Sequence, residues 1–430
     1  MSESTPRRWR QLIGCIAMMM AIANLQYAWT LFTVPLSESL GVKLSDVQLA
    51  FTLFILFETW LVPFEGYLID RLGVRVVVSV GAIMVGLAWI GAGTVTTVTG
   101  LYVWYAIGGV GAGAVYGACM GLALKWFPDH RGLAAGLTAG AYGFGTALTV
   151  LPIQKMIASS GYRSAFLFFG IIQGLIVLAV VQFSRAPAPD WKPKGWTPSS
   201  KVTVTQESYT PGEMVRSPVF YLMYAIMAMV AFGGLIVTAQ LKPIARAFSL
   251  DKGVFLWGMS ALSLALILDR ILNGLTRPFW GWVSDHIGRY NAMAIAFAVQ
   301  GVGLIGLTYL VNRPVWFVVL TGFTFFSWGE IFSLFPAAIA DVFGPKYATT
   351  NYGIQYTSKG LASIFAGWGA AAIMQAYGSW TPVFWAAIVC DLLAAALAFF
   401  ALKPIVAYRL SHQELFHPHH HEVAPARAGR

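Results

Sequence analysis

The sequence predicts an all-α membrane protein of twelve transmembrane helices, folded as two pseudo-symmetric six-helix bundles. Three observations predict it. Of 430 residues, 57% are hydrophobic and only 11% charged, against about 25% charged in an average soluble domain. Apolar runs of about 20 residues, the length that crosses a bilayer, recur twelve times along the chain. Short stretches of the first half also return in the second half at a nearly fixed offset.

The runs fall at 11–36, 47–69, 76–98, 101–125, 132–157, 163–184, 218–241, 254–280, 291–311, 315–340, 350–376 and 381–403. The first follows a basic start, MSESTPRRWRQ. It is long for a signal-peptide core and ends without an A-x-A-like site, so it reads as a retained span. Residues 185–217 differ in kind, being rich in proline and polar side chains, and read as a linker. Near the linker's end, Thr210, Pro211 and Glu213 have the spacing of a capping box with proline at the first helical position. The expected organisation is a tail (1–10), a six-helix bundle (11–184), the linker (185–217), a second bundle (218–404) and a tail (405–430). An even number of spans puts both ends on one side. Of 28 Lys and Arg residues, about 18 lie in the tails, the linker and the loops after even-numbered spans, about 7 on the other side and 3 within spans. The positive-inside rule then makes both termini cytoplasmic. The short loops carrying Arg71, Arg75, Arg131, Arg289 and Lys346 agree.

Composition also narrows the function. The net charge of +10 is spread through an apolar chain, which fits membrane orientation and not a nucleic-acid partner. Cys15, Cys119 and Cys390 lie in separate apolar spans with no metal spacing, so neither a disulfide framework nor a metal centre is expected. GGVGAG in span four follows no strand and lies within an apolar helix, which argues against a nucleotide loop. His130 and His286 are the only histidines outside the tail, and both fall at loops. HPHHHEV in the tail reads as a solvated end. No nucleophile–base pair or metal cluster occurs at mid-membrane, so neither an enzyme nor a cofactor is expected.

The repeat is specific. GYLIDRLGVR after span two (Gly66, Asp70, Arg71, Gly73, Arg75) returns as GWVSDHIGR after span eight (Gly281, Asp285, Gly288, Arg289), offset by 215 residues. Pro63 maps onto Pro278 by the same offset, and Phe127 onto Phe343 by 216. The loop motif, its weaker second copy, twelve spans and a central linker resemble the major facilitator superfamily. Within it, LQYAWTLF, VYG, WFPDHRGLAAG, NGLTRPFWGWVSDHIGR, SWGEIFSLFP and YTSKGLASIF are similar to the oxalate:formate antiporter and monocarboxylate transporter family. The likeness runs through residues 11–404.

The charged residues inside spans carry the functional reading, because charge at bilayer depth costs at least about 2.5–3.5 kcal/mol. On a helical wheel, Tyr352, Tyr356, Lys359 and Ser363 fall within about 60° of one another. In span eight, Asp269, Arg270, Asn273 and Arg277 share an arc of about 100°, and Pro278 is expected to break that helix. The resemblance makes Arg277 and Lys359 the groups that contact a substrate carboxylate, with Asn273 as polar neighbour. A guanidinium fork suits a carboxylate bidentately. Two cations facing one cavity suit a small dianion, or a monoanion plus an internal acid. The alternative is that each cation pairs with a buried carboxylate. The expected lining is Gln26, Tyr27, Tyr116 and Tyr142 from the first half, and Trp328, Phe332 and Tyr356 from the second. Phe332 stands where the oxalate carrier of the family has tyrosine, and Tyr356 where it has tryptophan. Both differences bear on which acid is carried.

Glu58, Glu65, Asp269, Glu330 and Asp391 also lie within spans. Glu58 and Glu65 share a face of span two. Glu330 is expected to point away from the cavity and to pair with Arg270. Glu58 and Glu330 are candidates for proton coupling, since desolvation disfavours a charged carboxyl. Asp70, Arg71, Arg75, Asp285 and Arg289 are expected to form rim ion pairs that gate access. Glycines at 109, 113, 117 and 121 and at 132, 136 and 140 form small-residue stripes for close helix packing.

The expected function is secondary transport of small carboxylates by alternating access, as oxalate/formate-type exchange in the inner membrane. An empty site would bury two unpaired cations, so exchange is expected to be obligatory. The alternative is a proton-coupled symporter of lactate- or pyruvate-like monocarboxylates. A drug or cation facilitator using Glu58 and Glu330 conflicts with the cavity's positive bias. The expected partners are small organic acid anions, with protons as a candidate second cargo, and the lipid bilayer; the expected state is a monomer.

Overall fold

The computed structural model describes residues 5–188, 191, 193, 208–344 and 347–411. These form twelve helical rods. Rod α1 has three pieces (Thr5–Ile22, Asn24–Tyr27, Trp29–Leu40) and α2 has two (Leu44–Trp60, Val62–Leu72). Then come α3 (Val74–Thr94) and α4 (Val98–Trp126). Rod α5 runs from Arg131–Phe144 through a 3₁₀ turn, Gly145–Leu148, to residue 160, and α6 covers 162–181. The second half contains α7 (Pro218–Ala247), α8 (Ala261–Ile287), α9 (Arg289–Leu310) and α10 (Pro314–Trp328, Ile331–Phe343). It closes with α11 (Ala348–Ile364, a π turn Phe365–Gly369, Ala370–Tyr377) and α12 (Thr381–Ala396, a π turn Leu397–Leu402, Lys403–Ser411).

Boundaries follow local chemistry. Gly161 takes φ 82°, a conformation that side chains with a Cβ rarely adopt, and turns the chain between α5 and α6. Rod α8 starts seven residues later than the apolar run suggests, because Gly253 and Gly258 hold positive φ and Ser260 caps the helix by accepting the Ser263 N–H. Thr210 and Glu213 do form the reciprocal capping box. Eight stretches are apolar and long enough to span a bilayer, and the bent α2 pair makes a ninth. One of the eight, Leu133–Val181, holds both α5 and α6. The rods that fail on apolarity are α8 and α11, which carry Asp269, Arg270, Arg277 and Lys359.

The halves meet through α1 on α7, α2 on α11 and α5 on α8. From the centre to the face opposite the termini, hydrogen bonds link them. Gln48 Nε2 donates to Gln240 Oε1 and to the Ala239 carbonyl, both at 2.8 Å, and Ser45 Oγ donates to Gln375 Oε1 at 2.9 Å. Lys242 Nζ reaches the Leu31 carbonyl at 2.7 Å, Arg246 pairs with Glu38 at 2.6 Å, and Ser263 Oγ donates to Gln154 at 2.7 Å.

Glycine packing is uneven along α4. A Cβ at Gly109 would lie 2.3 Å from the Phe54 carbonyl, and one at Gly113 2.7 Å from the Glu58 carbonyl. Gly117 and Gly121, nearer the termini, have nothing within 4 Å at that point. In α5, Gly140 packs on Gly274 while Gly136 faces open space. The small-residue stripes therefore serve close approach over only part of their length.

Candidate functional site

Breaks in the helices place the site, but not the break expected at Pro278. Rod α8 is continuous from Ala261 to Ile287. Pro278 cannot donate to the Gly274 carbonyl, and that oxygen instead faces Gly140, where a Cβ would come within 3.1 Å. The helix continues through the proline, with the freed carbonyl turned to the packed neighbour. The breaks lie in α1, around the short piece Asn24–Tyr27 that carries Gln26 and Tyr27, and in α10 at Gly329–Glu330, between Trp328 and Phe332. At the α10 break, the freed Phe326 carbonyl accepts from the Thr276 hydroxyl and the Trp280 indole N–H. A Cβ at Gly329 would lie 2.1 Å from Thr276 Cγ2 and 2.7 Å from Asn273 Oδ1, so α8 and α10 touch there backbone to side chain.

Lys359 answers to the first half. Its Nζ donates to Glu58 Oε2 at 2.8 Å, Gln26 Oε1 at 3.0 Å and Tyr356 OH at 3.2 Å. The other Glu58 oxygen accepts from Tyr142 OH at 2.6 Å, and that hydroxyl also lies 3.0 Å from Gln26 Oε1. Lys359 and Glu58 are each 1% exposed. This corrects the expectation of two unpaired cations: one is satisfied by an acid across the interface. The physical reason is desolvation, since a buried ammonium without a counter-charge is costly. Glu65 lies beyond the 48° bend of α2 after Trp60, yet its carboxylate and the Glu58 carbonyl both face Gly113 of α4.

Arg277 is 2% exposed, and its Nε and Nη1 have no hydrogen-bond partner among the described residues. Its guanidinium carbon lies 4.8 Å from the Phe332 ring centre, and Lys359 Nζ 5.6 Å from the same ring. Tyr356 stacks on Tyr116 at 5.9 Å and meets Phe332 at 5.9 Å, while Tyr142 meets Tyr27 at 5.4 Å and Tyr116 at 5.3 Å. One aromatic box thus joins both halves around the two cations. Gln26, Tyr27, Tyr116, Tyr142, Phe332, Tyr356, Arg277 and Lys359 come together in it. Trp328 stands behind, touching Phe332 at 5.4 Å with its ring on Gly234. Asn273 lies where α5, α8 and α10 meet, against Gly143 and Gly329.

Glu330 does point away from the box, but the expected Arg270–Glu330 pair is absent. The Glu330 carboxylate has no hydrogen-bond partner among the described residues. Its electrostatic neighbour is Asp391 of α12, which accepts from Gln300 at 3.2 Å. Arg270 instead meets the rings of Tyr27 and Phe325, its guanidinium carbon at 4.4 and 4.0 Å from their centres.

At the rim, the Asp70 and Asp285 side chains lie outside the described residues. Arg71 lies over Tyr67 at 4.7 Å, Arg75 donates to the Ser184 carbonyl at 2.9 Å, and Arg289 pairs with Asp341 at 2.6 Å. Asp341 was not singled out by its sequence context. Glu58 was, as a proton carrier; its role as the lysine's partner had one signal, that position 58 repeats position 273 at the 215-residue offset.

This arrangement, an enclosed polar centre between two six-helix bundles, is that of a membrane transporter. The chain matches the Major Facilitator Superfamily over residues 14–274 and 229–425, and it belongs to that family. It is 36% identical over 400 residues to the oxalate:formate antiporter of Oxalobacter formigenes, covering 92% of this chain and 91% of that one. It is 26% identical to the MFS-type transporter YhjX of Escherichia coli over 362 residues, 83% and 86% of the two chains. Human monocarboxylate transporter 14 is 27% identical over 154 residues, 36% and 29% of the two chains. The protein is therefore a multi-pass membrane transporter and not an enzyme.

Proposed function

We propose that the protein is a secondary active carrier of small carboxylates, working by alternating access, with the carboxylate held by Arg277 and Lys359. The observation that carries this reading is that both cations approach Phe332 inside one buried box built from both halves. Arg277 offers Nε and Nη1 donors without acceptors among the described residues, and a guanidinium fork suits a carboxylate bidentately. The likeness to the oxalate:formate antiporter over most of both chains supports a small organic acid as cargo. Both termini are taken as cytoplasmic and the membrane as the inner one, from the distribution of lysine and arginine.

The Lys359–Glu58 bridge alters the expected cycle. Obligatory exchange followed from an empty site with two bare cations. Glu58 supplies a carboxylate to Lys359 when no substrate does, so of these two cations the empty carrier leaves only Arg277 without a counter-charge. Net transport is then accessible, and a proton taken up by Glu58 as substrate displaces it from Lys359 would make the carrier a symporter. This second reading rests on the 2.8 Å contact.

Counterflow in reconstituted vesicles tests both. Oxalate, formate, lactate and pyruvate are each placed inside, with and without a pH difference. Acceleration by an internal carboxylate at equal pH supports exchange. Uptake into vesicles without internal carboxylate, driven by external acid, supports symport. If no carboxylate moves in either arrangement, the carboxylate reading is wrong.

A further inference from the structure

Arg270 is a third buried cation that the reading above does not use. It is 1% exposed, and its Nε and Nη1 have no hydrogen-bond partner among the described residues. Its guanidinium carbon lies over two aromatic rings, Tyr27 at 4.4 Å and Phe325 at 4.0 Å. Such cation–π contacts leave its N–H donors to other acceptors. Tyr27 belongs to the box, packing on Tyr142 at 5.4 Å. Its hydroxyl lies within electrostatic reach of Arg270, Arg277 and Glu58. Asp269 precedes Arg270 on the helix and is its electrostatic counter-charge, but no hydrogen bond joins the two among the described residues. Arg270 and Arg277 stand two turns apart on one face of α8, about 10 Å along the axis, with Asn273 between them.

We propose that Arg270 is the second anchor of an elongated anion site, which takes dicarboxylates longer than oxalate, of succinate or glutarate length. The inference rests on the carboxylate reading of Arg277 and Lys359 and extends it. One carboxylate lies between Arg277 and Lys359, the carbon chain passes the tyrosine rings, and the second carboxylate meets the Arg270 fork beside Tyr27. Oxalate, whose two carboxylates are joined directly, is too short to bridge arginines two helical turns apart, so it engages only the Arg277 end. A planar, pre-oriented fork favours a carboxylate over a neutral tail. The charges are also suited: three cations in α8 and α11 stand with two acids, Glu58 and Asp269, a net positive centre that a dianion complements.

The test is competition against labelled-anion counterflow, using the full-length protein in vesicles and oxalate, formate, succinate and glutarate as probes. The parent protein is expected to be inhibited by succinate and glutarate within tenfold of the oxalate concentration. Arg270→Gln is expected to weaken the long dicarboxylates tenfold or more while moving oxalate and formate less than twofold. Arg270→Lys should fall between, retaining charge without the fork. Ligand-induced shifts in thermal unfolding of detergent-purified protein give the same ranking if a variant transports poorly. An equal loss for every chain length means Arg270 only packs between its two rings, and overturns the proposal. So does a parent protein that carries oxalate or formate but is indifferent to the longer acids. If none of the four anions is carried or stabilises the protein, the carboxylate reading itself fails, and this inference with it.

Discussion

The two walls of the central box come from repeats of one six-helix unit, yet their chemistry is opposite. The second half supplies Arg277 and Lys359. The first supplies three tyrosines, Gln26 and an acid. Position 58 repeats position 273 and position 62 repeats 277, so Glu and Val stand on α2 where Asn and Arg stand on α8. The backbones diverge at the same place. Rod α2 breaks and bends by 48° next to Pro63, whereas α8 continues unbroken through Pro278. The difference teaches that the duplicated scaffold tolerates separate assignment of charge. One cation is held by an acid of the opposite half, and the other is left with aromatic neighbours and open donors.

The strongest way to break that comparison is to remove either cation. Arg277→Ala and Lys359→Ala are each expected to abolish carboxylate uptake in vesicles while the protein still inserts. Lys359→Arg should transport poorly, because the wider planar head does not fit the contacts an ammonium makes. Undiminished initial rates in any of these variants would remove that residue from the site.

The interface bridge is sharpened by a double-mutant cycle. Lys359→Met alone leaves Glu58 buried without its partner and is expected to cost about 3–5 kcal/mol. Adding Glu58→Gln should recover most of that loss, which unfolding of the purified protein in detergent would measure. Costs that simply add would show the two groups to be energetically independent despite their contact.

Packing behind the box gives a smaller effect. A Cβ on Gly234 would lie 2.2 Å from the Trp328 ring, so Gly234→Ala must displace the indole or the helix. A loss of about 1–3 kcal/mol is expected, with Phe332 and the affinity for anion disturbed through Trp328. A stable variant with unaltered affinity would uncouple Trp328 from the site.

The smallest expected effect lies outside the membrane. Asp129, in the loop between α4 and α5, is partly buried, and burial alone would raise its carboxyl. Hydrogen bonds from Arg8 at 2.8 Å and from His130 hold it below the ordinary carboxylate range. A lowered carboxyl stabilises the fold above its unfolded value, near 4, and loses that contribution as pH falls through its folded value. Asp129→Asn should therefore cost no more than about 1 kcal/mol at neutral pH. The gap between variant and parent should close in acid, as thermal unfolding from pH 7 to pH 3 would reveal.

The sequence by itself determined twelve spans, their pairing as two repeats, and the set of residues able to meet at the centre. It could do so because bilayer length, helical period and the cost of intramembrane charge are local or nearly local constraints, readable from one stretch at a time. Span eleven shows this: Tyr352, Tyr356, Lys359 and Ser363 share a stripe on any helix, and the stripe does face the other half through Lys359–Glu58 and Ser363–Thr52. What only the tertiary structure decided was which charge answers which. Arg270 and Glu330 are both buried and both polar, yet they do not pair among the described residues, and Tyr27 and Phe325 take the arginine instead. Pro278 was a break by local rule, yet the helix continues through it, with Gly140 packed beside the freed carbonyl. Partner choice and helix continuity depend on which surfaces two distant segments bring together, and no window of the chain contains both.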